Sequence, residues 1–384
     1  MLYVGGFLLG FWFNKKNNSS LFSSKVKTEK LITRDKEILF GDRKLSYDDA
    51  KSFIKTLNCW TENGTWEYDP SFPSLYPKDI PLHMQNFELN TQIYSECGPS
   101  MSRSDLDYVW KTPTCPQLPV FTPESMCREM RGRSLIFVGD SLTIAHFETT
   151  IQAMAHSRPV IKRDGGTNGC PGPNDSGDAY IIHAFHFCQT LGLPVFNVTF
   201  VCYNNILEGY IPQSAPILQV EKWKNHLNFL RNAHDGPGIV LVVNRGAHVR
   251  NDKQVALDMV IMMAFVREEL PQALLIFRSS NMAHGSCRNF SRPRTKNEPL
   301  LEPSNAGGDP SWQWSFFPAQ SARVIRPIIL NSRQRGIFLD IFPSMQLRPD
   351  SHTLDCLHYC VPGPIDMWVR WVYAIVYEVN RLGI

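Results

Sequence analysis

The chain has 384 residues, of which 43% are hydrophobic and 20% charged, the balance of a folded globular protein rather than a disordered one. Its 39 basic and 36 acidic side chains give a formal net charge of +3, and no dense Lys/Arg run interleaves with aromatic residues. Composition therefore argues against nucleic acid as a partner. The length predicts one large domain or two unequal ones.

The N-terminal segment is apolar and then becomes polar. Residues 1–13 contain "LYVGGFLLGFWF", a run of 12 residues, which is shorter than the ~20 that a helix needs to span a bilayer. We interpret residues 1–13 either as the end of a membrane anchor whose start is missing or as a signal-peptide core. Residues 14–56 are expected to form a polar stem, in which "LSYDDAKSFIKTL" is compatible with one short helix.

Cysteine usage predicts an oxidising compartment. The ten cysteines are even in number and scattered, with no paired Cys-x-x-Cys knuckles. Asn-x-Ser/Thr sequons occur at Asn17, Asn18, Asn63, Asn174, Asn197 and Asn289. Together these features favour a disulfide-bonded glycoprotein of the secretory lumen over a cytosolic protein with free thiols. Residues 57–130, rich in Pro, Cys and aromatic side chains, are expected to form an irregular lobe held by disulfides.

Residues 131–384 have the pattern of an α/β domain. The short aliphatic runs "SLIFV", "VFNVTFVC", "GIVLVV" and "ALLIF" are typical of buried parallel strands. Helix-length amphipathic segments lie between them, and "IDMWVRWVYAIVYEVNRL" predicts a closing helix. Strands that alternate with helices predict a three-layer αβα architecture whose ligands bind at the carboxyl ends of the strands.

A small hydroxyl stands at one such strand end. In "FVGDSLTIAHFE", Gly139, Asp140 and Ser141 follow a buried strand and precede a helix. Backbone N–H groups at a helix N-terminus have no helical partner and can stabilise negative charge on a substrate oxygen. Asp and Ser are also ordinary helix caps, so this motif alone fits either a nucleophile or a plain cap.

A second motif, "DCLHYC", supplies a base and its orienting acid. Asp355 and His358 are three residues apart, which places their side chains on one face of a helical turn. The carboxylate can then hold one imidazole nitrogen while the other faces a serine hydroxyl, as in a Ser-His-Asp triad. Two alternatives are a solvent-exposed Asp/His pair and a metal site made of Cys356, His358 and Cys360.

Five sequence blocks follow one another over roughly residues 59–380: "CWTENGTWEYDP" with "SLYP", "SRSDLDYVWKTPTCPQLPVF", "MRGRSLIFVGDSL", "LLIFRSSNMAHGSC" and "DCLHYCVPGPIDMW". In this order they resemble the trichome birefringence-like and PC-esterase family of polysaccharide O-acetyltransferases, in the SGNH/GDSL superfamily. Four positions or stretches depart from the family pattern: Tyr359 replaces Trp, Val369 replaces Asn, Asn281-Met282 replaces Ser-Pro, and "VVNRGAH" replaces "FNTGHWW". None of these departures falls on Ser141, Asp355 or His358. The resemblance does not, however, identify a specific plant polymer as the substrate of this chain.

The resemblance implies an SGNH-like catalytic domain at residues 131–384 that acts as an O-acetyltransferase. Ser141, His358 and Asp355 would form the catalytic triad, acetylated on the serine during turnover. The Ser141 N–H, the N–H of Gly165 or Gly166, and the Asn244 side-chain amide would bind the oxyanion. Arg278 would either orient the donor or a sugar, or pair with a buried carboxylate.

The partners are implied by the same resemblance. The co-substrates would be an acetyl donor, either derived from acetyl-CoA or an acetylated intermediate, and a glycan acceptor, with a membrane partner that supplies acetyl groups. No bound cofactor or metal is expected. The location would be the Golgi membrane with a single span and a lumenal catalytic domain, or else the secreted space. Two other functions remain open: an acetylesterase with the same triad, and a glycan-binding protein without catalysis.

Overall fold

The computed structural model describes residues 37–40, 43–72, 103–154, 162–164, 180–184, 187–195, 197–202, 238–245, 251–298, 316–331, 336–353, 355–361 and 363–383. Residues 37–383 of this set belong to one compact unit, Lys36–Ile384. The segment interpreted as an anchor or signal, residues 1–13, lies outside the described residues. Among the helices that are described, none combines the length and the apolar character needed to cross a membrane.

Strands and helices alternate through the second half of the described chain. The strands are β1 Glu37–Phe40, β2 Arg43–Ser46, β3 Thr65–Tyr68, β4 Tyr108–Lys111, β5 Ser134–Gly139, β6 Lys162–Asp164, β7 Tyr180–Ala184, β8 Asn197–Cys202, β9 Ile239–Val243, β10 Leu274–Arg278 and β11 Gly336–Leu339. The α-helices are α1 Tyr47–Glu62, α2 Pro123–Met130, α3 Ser141–Met154, α4 Phe187–Thr190, α5 Asp252–Glu269, α6 Phe316–Gln320, α7 Arg326–Asn331, α8 Phe342–Met345 and α9 Asp366–Arg381. A π-helical turn, Ser321–Ile325, joins α6 to α7.

The central sheet has seven strands in the order β11-β10-β9-β5-β8-β7-β6. The five strands from β11 to β8 are parallel, and β7 and β6 add to one edge in antiparallel fashion. The parallel sheet predicted from the aliphatic runs is confirmed. The antiparallel edge was not predicted, because its two short strands lack a long aliphatic run.

Two apolar clusters cover the two faces of this sheet. Along β5, Leu135 and Phe137 belong to one cluster, while Ile136 and Val138 belong to the other. Because successive side chains of a strand point to opposite faces, this division shows a sheet buried on both sides. The first face packs against helices that include α3 and α9, and the second against α5. The α/β class and its three layers are therefore confirmed.

The N-terminal part of the described chain is tied to this core. Helix α1 buries Phe53, Leu57 and Trp60 in the first cluster, and the boundary expected at residue 56 falls inside this helix. The disulfide Cys59–Cys115 links α1 to the loop before α2. Two further disulfides, Cys127–Cys188 and Cys287–Cys356, are present among the described residues, and Cys360 is also disulfide-bonded. The expected use of disulfides is confirmed.

Candidate active site

Ser141 stands at the first position of α3, directly after β5. Asp140 caps this helix: its Oδ1 accepts from the Leu142 N–H at 3.0 Å, and its carbonyl accepts from the Thr143 N–H at 2.9 Å. The capping does not use the Ser141 N–H. At Gly139 a Cβ would overlap the Thr143 side chain, so glycine lets the strand end pack this closely against the helix.

The structure brings Ser141, His358 and Asp355 together. His358 Nε2 lies 2.8 Å from Ser141 Oγ, and the other ring nitrogen, Nδ1, contacts Asp355 Oδ2. The two motifs are 217 residues apart in sequence, so the sheet and the segment before α9 together create the arrangement. The three side chains form one continuous hydrogen-bonded chain from hydroxyl to carboxylate.

Asp355 is held in its ionised form by several donors. Its Oδ1 accepts from the Leu357 and His358 N–H groups, each at 2.9 Å, and from the Thr353 hydroxyl at 2.6 Å. Partial burial acts to raise the pKa of the Asp355 carboxyl. The hydrogen bond and charge of His358, with the Thr353 and Leu357 bonds, outweigh burial and hold this pKa well below its ordinary range.

The segment that carries His358 is fixed from three sides. Cys356 is joined to Cys287 by a disulfide, and its carbonyl accepts from the His284 N–H at 2.9 Å. The Asn281 amide donates to the Leu357 carbonyl at 3.1 Å. The metal alternative is wrong for Cys356 and Cys360, because both are disulfide-bonded. No group of three or more potential metal ligands occurs within the described ranges.

A small apolar cluster lies under the contact between the two motifs. Its members are Leu142, Ala283, Cys287, Phe317, Cys356 and Leu357, with Phe316 partly buried against them. Leu142 follows the serine and Leu357 precedes the histidine, so packing between them sets the separation of the two functional groups. Sequence reasoning missed this cluster, since its members come from four separate segments.

Arg278 lies beneath the serine turn and not in front of it. The residue is fully buried; its Nη2 donates to Thr143 Oγ1 at 3.1 Å, and its guanidinium lies 4.3 Å from the Trp368 ring centroid. Burial lowers the pKa of the Arg278 guanidinium to about 10, while the Asp140 charge acts to raise it. The described contacts of Arg278 are with Thr143, the Ser279 carbonyl and the Trp368 ring, and the Asp140 carboxylate acts on it only through its charge.

Asn244 uses its amide group to join two strand ends. Both Nδ2 contacts go to β10 and the residues after it: to the Arg278 carbonyl at 2.9 Å and to Ser280 Oγ at 3.1 Å. An oxyanion role for Asn244 would require one of these bonds to be exchanged, and it stays a prediction. Gly165 and Gly166, the other expected oxyanion donors, lie outside the described residues.

The fold and the site define a class of protein. A parallel sheet covered on both faces, with a serine after one strand and an Asp-x-x-His motif before the last helix, is an α/β arrangement of the SGNH type. The family model of PC-Esterase, the GDSL/SGNH-like acyl-esterase family found in Pmr5 and Cas1p, matches residues 217–375. Over these residues the chain is similar to that family.

Curated relatives from plants align over most of the chain. It is 21% identical to trichome birefringence-like protein 38 of Arabidopsis thaliana over 90% of this chain and 93% of that protein. It is 22% identical to trichome birefringence-like protein 43 of the same plant, over 83% of this chain and 88% of that protein. Xyloglucan O-acetyltransferase 3 of Populus trichocarpa is 22% identical over 70% of this chain and 74% of its own length.

Proposed function

We propose that this protein is an O-acetyltransferase that moves an acetyl group, through an acetyl-Ser141 intermediate, onto a hydroxyl of a polysaccharide. The observation that carries the proposal is the hydrogen-bonded series Ser141–His358–Asp355 at the carboxyl end of β5. The likeness to proteins named as xyloglucan O-acetyltransferases supports a glycan acceptor.

In the first half-reaction the serine is acetylated. His358 Nε2 accepts the Ser141 proton as Oγ attacks the carbonyl carbon of the donor, and a tetrahedral oxyanion forms. The intermediate collapses, the leaving group takes the proton from His358, and acetyl-Ser141 remains. Asp355 keeps Nδ1 protonated, which leaves Nε2 free to accept, and it stabilises the imidazolium that forms.

In the second half-reaction a sugar hydroxyl replaces the donor. His358 Nε2 takes the proton of that hydroxyl as its oxygen attacks the acetyl carbon, and collapse returns the proton to Ser141 Oγ. The Ser141 N–H is the oxyanion donor that we propose first, because Asp140 caps the helix without it. The backbone N–H of Gly165 or Gly166 is the second oxyanion donor that we propose.

The compartment follows from the cysteines. Disulfides persist in oxidising compartments, and three disulfides lie within the part of the chain that the structure describes. We propose a Golgi-lumenal catalytic domain that receives acetyl groups from a membrane partner.

The test uses the purified full chain with 4-nitrophenyl acetate as donor, with and without xyloglucan oligosaccharides. Acetylated oligosaccharide as the main product is expected, together with a transient mass increase of one acetyl group on the protein. Ser141→Ala is expected to abolish both, whereas Ser52→Ala, on the exposed face of α1, is the matched control. Full transfer activity in Ser141→Ala would contradict the mechanism.

The same assay separates transfer from hydrolysis. An esterase with this triad would release free acetate at a rate that does not depend on the oligosaccharide, because water would resolve the acetyl-enzyme. The name of the matching family, an acyl-esterase, makes this the specific alternative.

A further inference from the structure

A pair of buried histidines lies directly behind the base. His284 Nδ1 and His352 Nε2 are 2.6 Å apart. The outer nitrogen of each ring faces a backbone carbonyl: His284 Nε2 is 2.9 Å from the Gln346 oxygen, and His352 Nδ1 is 3.1 Å from the His358 oxygen. The two rings thus bridge the segment after α8 to the backbone of the residue that we propose as the general base.

Counting protons shows that two neutral imidazoles cannot satisfy this arrangement. A carbonyl oxygen only accepts a hydrogen bond, so each outer nitrogen needs its own hydrogen. The contact between the two inner nitrogens, His284 Nδ1 and His352 Nε2, needs one more. That makes three hydrogens, whereas two neutral rings carry two. With only two, one nitrogen lone pair must face a carbonyl lone pair, or the two inner nitrogens must meet without a proton between them.

Burial and the neighbouring groups shift the pKa values of this pair in opposite directions. Burial lowers the pKa of His284 to about 4 and that of His352 well below its ordinary value. Among the charged groups that face the pair, Arg294 lowers the pKa of His284, and His358 lowers that of His352, whereas Asp355 raises the pKa of His352. The two carbonyls favour the protonated rings. Tyr359 stacks on His352 with a centroid distance of 4.1 Å.

The pair is also part of the framework of the base. The His284 N–H binds the Cys356 carbonyl at 2.9 Å, and His352 forms an antiparallel bridge with Tyr359. The His358 carbonyl accepts from the Thr353 N–H at 2.8 Å, so the His352 ring provides its second contact. A hydrogen on His352 Nδ1 would therefore complete the hydrogen bonding of the residue whose imidazole must point at Ser141.

We propose that His284 and His352 are positioning residues that bind one additional proton as a pair, and that the pair in this form fixes the backbone of His358 for catalysis. The extra proton comes from solvent and is shared between the two inner nitrogens, with an outer N–H on each ring donating to its carbonyl. The proton binding stands by itself; the positioning role depends on the proposed function of His358 as base.

The proton count can be measured without any assay of activity. In the ¹⁵N spectrum of imidazole-labelled wild-type protein, a neutral pair has two nitrogens without hydrogen, and the proposed pair has one. The signals are assigned with the single variants His284→Gln and His352→Gln, whose amides keep a donor and an acceptor near the ring-nitrogen positions. As the pH falls from about 8 to about 4, we expect the number of nitrogens without hydrogen in the pair to reach one. Two such nitrogens throughout this range would overturn the proposal.

The positioning role is tested with the double variant His284→Gln/His352→Gln, which retains both outer donors but cannot bind the extra proton. Its two inner amide oxygens then face each other, so we expect the His358 segment to shift and kcat to fall about tenfold or more, while KM for 4-nitrophenyl acetate stays within about twofold. Wild-type kcat in a folded double variant would overturn the positioning role. If the protein proves to lack acyl-transfer activity, the nitrogen count still decides the proton binding.

Discussion

Asp355 holds His358 at two points, because Oδ1 accepts from the backbone N–H of His358 at 2.9 Å while Oδ2 contacts Nδ1 of its ring. The same carboxylate therefore fixes both the peptide and the side chain of His358, the base that we propose. An isolated Asp/His pair on a surface would have only the side-chain contact.

In the variant Asp355→Asn, the amide oxygen is expected to keep accepting from the His358 backbone N–H. The amide NH2 group then takes the place of the carboxylate oxygen that faces Nδ1 of the His358 ring. An amide NH2 facing Nδ1 favours the imidazole form whose hydrogen is on Nε2, and that form cannot accept the Ser141 proton. We expect kcat to fall by about 10⁴-fold, as in the comparable substitution in serine proteases. Asp48→Asn, at an exposed position of α1, is the matched control and should keep full activity. An Asp355→Asn variant within about tenfold of wild type would contradict the assigned role of Asp355.

The disulfide beside the base should matter more for catalysis than a disulfide of similar span elsewhere. Cys287–Cys356 closes 69 residues and touches the base segment, whereas Cys59–Cys115 closes 56 residues near α1. Replacing either pair by serines should cost about 2–4 kcal/mol of unfolding free energy. Only the loss of Cys287–Cys356 is expected to lower kcat of the folded fraction, by about tenfold or more. Equal kcat values in the two double variants would show that this disulfide does not position the base.

Removal of the buried guanidinium should destabilise the serine turn. Arg278→Met removes the buried hydrogen bonds to Thr143 Oγ1 and the Ser279 carbonyl, together with the positive charge that acts on Asp140, which should cost about 1.5–3 kcal/mol. Arg323→Met is the control, since the Arg323–Asp252 pair lies at the surface, with side chains 43% and 41% exposed, and should cost less than about 1 kcal/mol. Denaturant unfolding measures both. Similar losses for the two variants would argue against a structural role for the Arg278 charge.

Glu148 should make the protein less stable at alkaline pH. It is buried on α3, and its Oε1 has no hydrogen-bond partner among the residues that the structure describes. Burial raises the pKa of this carboxyl from 4.5 to about 8. A carboxyl whose pKa is higher in the folded than in the unfolded protein makes its full contribution to folding stability below its unfolded-state pKa. This contribution is lost as the pH rises through the folded-state pKa.

The test is the melting temperature of Glu148→Gln between about pH 5 and about pH 9, because the amide cannot ionise. We expect the variant to be the more stable protein at the alkaline end and its melting temperature to vary less with pH. Glu298→Gln, at a partly exposed carboxylate, is the control. A parallel pH dependence in wild type and Glu148→Gln would show that Glu148 is not the responsible group.

The sequence by itself determined four of the five parallel strands, β5, β8, β9 and β10, and the chemical groups. Runs such as "SLIFV" and "ALLIF" predict buried parallel strands because both faces of such strands are covered, and β5 and β10 appear at those positions. The order of strand, Gly-Asp-Ser and a late Asp-x-x-His motif also predicted which three side chains would meet. These signals are local, so they can be read from single segments of the chain.

Only the tertiary structure decided how the remaining groups are used. The Asn244 amide, which the resemblance suggested as an oxyanion donor, binds the Arg278 carbonyl at the end of β10, and its oxyanion role stays a prediction. Nothing in the sequence pattern pairs His284 with His352, yet the two rings lie against each other behind His358. A buried donor or acceptor must find a partner, and that partner is set by which segments the sheet brings together across tens to hundreds of residues. Sequence spacing does not record this proximity, whereas the folded core fixes it.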